Sequence, residues 1–121
     1  MRDVDLPEYL VDDSALTSRQ FEVLRSYVRV VLGEAKFREA AAKGTTKPVT
    51  VGSYFRTAQQ ARSNVRQSLA TLLIGLWLGV IKAEDVRRLL DLAGSAEREF
   101  SEEEAARFIT VLRAIMDRVV M

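Results

Sequence analysis

Two short stretches constrain the fold more than anything else in the chain. "TSRQ" at 17–20 and "SEEE" at 101–104 each place a hydroxyl three residues before a Gln or Glu. In that arrangement the hydroxyl accepts from the backbone N–H three residues on, and the longer side chain returns to the N–H of the cap. Each stretch therefore reads as a helix start, and apolar residues at helical spacing follow both. After Thr17 come Phe21, Leu24, Val28 and Leu32, with Val23, Tyr27 and Val30 beside them. After Ser101 come Ala105, Phe108, Ile109, Leu112, Ile115, Met116 and Val119, an amphipathic C-terminal helix.

The rest of the chain fits the same class. "EAKFREAAAK" reads as a short second helix set off by Gly33 and stopped by Gly44. "TTKPVT" reads as a turn, since Pro48 lacks a donor and biases Lys47 away from helix. Thr50 can cap a helix that runs to about Leu78, with Gly79 as its C-cap. "KAEDVRRLLDLAG" is a compact helix with Glu84 and Asp85 in the first turn, where the helix dipole favours anions. No stretch alternates as a strand, and no repeat recurs at solenoid spacing. The expected fold is all-α with five or six helices. Residues 1–13 read as an acidic arm and 14–121 as one helical domain, made of an N-terminal part (14–78) and a C-terminal helical part (82–121).

Composition removes several chemistries. There is no Cys and no His among the 121 residues. Cysteine nucleophiles, histidine bases, disulfides and zinc fingers are therefore excluded. The acidic run Glu102, Glu103 and Glu104 opens a helix, where acids are favoured anyway, and consecutive residues do not converge on one face. No Ser, Lys or Asp has a recognisable activating partner, so the sequence points to no enzyme and no cofactor or metal. The N-terminus is acidic and lacks the apolar core of a signal peptide, which leaves the cytoplasm as the expected compartment. The apolar run "SLATLLIGLWLGVI" falls short of the roughly 20 residues a membrane span needs, and reads as a buried core helix. Trp77 within it reads as core or as an oligomer contact.

The informative feature is a gap. No Asp or Glu occurs from Ala40 to Ala83, although the chain carries 17 of them. The same segment holds Lys43, Lys47, Arg56, Arg62, Arg66 and Lys82. On a wheel starting at Val51, the residues Val51, Phe55, Ala58, Val65, Leu69, Leu72, Leu73 and Leu76 share one direction, the expected core face. Arg56, Gln60, Ser63 and Gln67 lie opposite, flanked by Ser53, Gln59 and Arg66, while Arg62 points toward the apolar side. A surface helix ordinarily carries Glu and Lys pairs. An Arg, Gln and Ser face without acids instead suits a polyanion, because carboxylates repel phosphates and cations release counterions. Arg can fork onto guanine and Gln onto adenine.

The arrangement also resembles a known family. "LTSRQFEVLRSYV" is similar to the opening of helix-turn-helix domains of the sigma-factor region 4 and response-regulator output type, found in small bacterial and archaeal regulators. "FREAAAKG", with Ala40 and Gly44 four apart, resembles their second helix, and "VTVGSYFRTAQQARSNVRQSL" their recognition helix. The resemblance covers about residues 16–69. It implies that Thr50, Ser53, Arg56, Thr57 and Gln60 face a major groove and that Lys43 and Lys47 lie by phosphates. Ser63 and Arg66 extend that surface, with Arg66 on a phosphate. The five residues between Gly44 and Thr50 exceed the family's turn of about three or four. A small protein of this type is expected to bind double-stranded DNA as a homodimer, with the C-terminal helix as a candidate seam. A helical interaction module without nucleic-acid affinity, and an RNA-binding protein, are the alternative readings.

Overall fold

The computed structural model describes residues 6–45, 47–95 and 100–121. Among them the chain forms α1 (Leu6–Leu10), a 3-10 turn (Val11–Asp13), α2 (Ser18–Val31), α3 (Phe37–Lys43), α4 (Val51–Leu78), α5 (Ala83–Gly94) and α6 (Glu102–Val119). The fold is all-α. The described residues contain no strand, only an isolated antiparallel bridge between Ile81 and Val120.

Both capping boxes form as the sequence requires. Gln20 N–H donates to Thr17 Oγ1 at 3.1 Å, and Thr17 N–H donates to Gln20 Oε1 at 3.1 Å. Glu104 N–H donates to Ser101 Oγ at 3.2 Å, with the return bond at 3.3 Å. Thr50 Oγ1 takes the N–H of Ser53 at 3.1 Å and so opens α4. The short second helix begins at Phe37 rather than Glu34, because Lys36 is extended. Part of the expected acidic arm is also helical: α1 packs on α6, where Arg113 Nη2 donates to the Tyr9 carbonyl at 2.9 Å. The first five residues lie outside the described part.

The chain divides into two compact units, one spanning Val11–Leu69 and the other Ala70–Met121 together with the N-terminal residues through Leu10. The long helix α4 contributes to both.

In the first unit, α2, α3 and the first half of α4 close around Val23, Ala40, Ala41, Tyr54 and Ala58. Tyr27, Val30, Phe37 and Val49 pack against this core. Phe37 sits among aromatics, 5.8 Å from Tyr27 and 6.2 Å edge-on from Tyr54. The core is closed by small residues as much as by large ones. An added Cβ at Gly44 would lie 2.7 Å from Ser26 Cβ and 2.6 Å from the Ala40 carbonyl oxygen, so only glycine lets the end of α3 approach α2 this closely.

In the second unit, α6 buries Ala105, Ile109 and Leu112, and the Phe100 ring packs tilted against Phe108, 5.2 Å between centroids. Gly79, at φ +80°, turns the chain back after α4. The turn lets Val80 N–H donate to the Gly75 carbonyl at 2.9 Å. The 4-residue and 3-residue spacings Glu84–Arg88 (2.7 Å) and Asp85–Arg88 (3.7 Å) brace α5 on its surface. No residue of α5 is fully buried.

The apolar run at the end of α4 is not the core helix that composition suggests. Leu69, Leu73, Ile74, Trp77 and Leu78 are exposed, Trp77 to 79% and Leu78 to 73%. Toward its start, Val51, Phe55 and Val65 on the expected core face are exposed as well. No helix among the described residues is long and apolar enough to cross a membrane.

Candidate nucleic-acid interface

The orientation of α4 decides which side chains reach solvent, and a polar anchor sets it. Tyr54 is fully buried, and its hydroxyl lies 2.5 Å from Ser26 Oγ, which in turn donates to the Val23 carbonyl at 3.0 Å. Burial pushes the Tyr54 phenol above its ordinary value, with the Ser26 hydrogen bond opposing the change. Further along the helix, Asn64 Nδ2 donates to Gln20 Oε1 at 2.8 Å, the same oxygen that completes the cap of α2. These bonds turn Tyr54, Thr57, Ala58 and Ala61 inward. That direction lies roughly 60° from the apolar stripe, at about 100° per residue.

The rotation sorts the residues expected at the interface. Lys43, Lys47, Arg56, Gln60, Ser63 and Arg66 are exposed. Thr50 is exposed, but its hydroxyl oxygen is engaged by the Ser53 N–H. Ser53 is half-buried. Thr57 departs from the expectation: it is only 9% exposed, and its hydroxyl donates to the Ser53 carbonyl at 3.0 Å. It faces the core rather than a ligand. Arg62, which the wheel turned toward the apolar side, is exposed because that side is itself in water; it lies about 160° round the helix from Gln60. The Leu-rich stripe reads as core because hydropathy ranks the buried ridge of Tyr, Thr and Ala below it. Gln67 is exposed and donates to Ser63 Oγ at 3.2 Å, keeping that hydroxyl on the same face.

The charges of this surface are not neutralised locally. Among the described residues, no carboxylate forms an ion pair with Lys43, Lys47, Arg56, Arg62 or Arg66, whereas Arg29 meets Glu34 at 3.8 Å and Arg88 meets two acids. Arg56 and Arg66 are about 15 Å apart along the helix axis. The approach to α4 is held in place by Val49 N–H donating to the Ala41 carbonyl at 3.0 Å and by Thr45 Oγ1 donating to the Lys47 carbonyl at 2.6 Å. Beside Lys43, an open depression of 190 Å³ is lined by Arg29, Glu34, Glu39 and Lys43 among others. Its charges alternate in sign, so it is no anion cradle; the cationic surface is the convex face of α4.

Comparison with protein-family models, with curated proteins and with solved structures finds no match. The functional reading therefore rests on the chain's own residues.

Proposed function

We propose that this protein binds double-stranded DNA through the exposed face of the first half of α4. One observation carries the reading: a solvent-facing helix side built from Arg56, Gln60, Ser63 and Arg66, with no acid between Ala40 and Ala83. Unpaired cations on a convex helix suit a groove flanked by phosphates, because each neutralised phosphate releases a counterion. The width of a B-form major groove admits one α-helix. In this reading Arg56 and Gln60 meet base edges, and Lys43, Lys47 and Arg66 meet the backbone. The packed α2–α3 pair is the scaffold that presents the helix, as in the helix-turn-helix domains the sequence resembles. The net charge of +1 keeps the attraction local to this face.

The test is a titration with duplex DNA at two salt concentrations. Binding that weakens steeply with salt supports the proposal, and no binding at low salt defeats it. Competition by single-stranded and duplex RNA in the same assay separates an RNA-binding role. The reading as an assembly module draws on a different observation, the exposed apolar second half of α4. It would stand alone if DNA failed to bind.

A further inference from the structure

We infer that the second half of α4 is the seam of a homodimer, with α4 of a second copy packed antiparallel on it. The inference does not depend on the DNA-binding reading.

The face itself is built for a helix. Leu69, Leu73 and Trp77 form one ridge at four-residue spacing, and Ala70, Ile74 and Leu78 form the ridge beside it. All six are exposed. Contiguous apolar surface beyond a few hundred Å² marks an interaction site on a soluble protein. Ridges at four-residue spacing interdigitate with ridges of the same spacing, so such a surface is complementary to itself. An isologous pair uses one patch twice, and this patch fits that symmetry.

The second unit is the under-covered one, since α5 buries no residue completely and Leu90 is 65% exposed.

Charge selects the partner and the direction. No charged residue lies from Gln67 to Ile81, so two copies meet here without repulsion, and an oppositely charged partner would find nothing to pair with. A parallel pairing would stack Arg62 and Arg66 on their own counterparts. An antiparallel one, with its two-fold near Leu73, sets the two Arg66 side chains roughly 21 Å apart along the axis. The C-terminal helix is a poorer seam, because Ala105, Ile109 and Leu112 are already buried within its own unit.

Trp77 is the only tryptophan and is a built-in reporter. Sedimentation equilibrium of the full chain from low to high micromolar concentration should give a dimer, and Trp77 emission should shift to the blue as dimer forms. Trp77→Glu should weaken dimerisation by more than about 30-fold, as expected for an aromatic at the centre of an interface. Ile74→Glu keeps the reporter and should give a red-emitting monomer with unchanged helical circular dichroism. If one variant loses helicity, the other, or Leu78→Glu, carries the test. The proposal fails if the wild type stays monomeric with water-exposed Trp77 emission throughout. It fails equally if a dimer forms that none of the three substitutions weakens. A blue shift that needs phosphatidylcholine vesicles, with a monomer in their absence, would assign the face to lipid instead.

Discussion

The first half of α4 leaves Arg56, Gln60, Ser63 and Arg66 in water, whereas the second half leaves Leu73, Ile74, Trp77 and Leu78 there. The covered sides differ in the opposite sense. The first half seals Tyr54, Ala58 and Ala61 completely within its own unit. In the second half, Leu72, Gly75 and Leu76 are only half-buried. The first half is therefore finished on its inner side, and its outer side carries charge beside the exposed Val51, Phe55 and Val65. The second half has apolar surface on both sides and lacks a cover for one of them. A continuous helix need not have one role along its length, because each turn is answered by whatever packs on it.

The sharpest way to break the finished half is through its core. Tyr54→Ala should cost about 3–5 kcal/mol of stability, read from urea denaturation, because it opens a cavity where Phe37 and Ala58 pack. Gly44→Ala should cost about 1–3 kcal/mol in the same assay, since the new methyl meets Ser26 and the α3 backbone. Neither Arg nor Lys replacement on the outer side should move the denaturation midpoint appreciably. Arg56→Ala should instead reduce discrimination between duplex sequences by roughly 1–3 kcal/mol, measured by competition, if it forks onto a base. Lys43→Ala or Lys47→Ala should weaken all duplexes alike and lower the salt slope by about one unit for each phosphate left without its cation.

The smallest effect concerns pH. The Tyr54 phenol is held above its ordinary value of 10.0, so the folded state keeps its proton more tightly than the unfolded chain. Its contribution is fully present below pH 10.0 and falls away as pH rises beyond it. Urea midpoints taken across that range should drop more for the wild type than for Tyr54→Phe. An equal drop in both would mean that Tyr54 does not couple its ionisation to folding.

Three helix starts were legible because capping is local. Thr17 with Gln20, Ser101 with Glu104 and Thr50 with Ser53 each work across three residues, so the chain alone determines them. The all-α class, the turn at Gly79 and the absence of acids between Ala40 and Ala83 were legible for the same reason. The small residues Ala40 and Gly44 were visible too, but the close approach of Gly44 to Ser26 needs two helices brought together. Only the tertiary structure decided which side of α4 is inside. Hydropathy favoured the Leu-rich stripe, yet a tyrosine hydroxyl with a partner on α2 and alanines that permit close approach placed a different ridge in the core. That choice put Thr57 inside and left most of the apolar stripe, with Arg62 beside it, in water. Burial depends on the shape and bonding of the facing element, which no residue carries in its own identity.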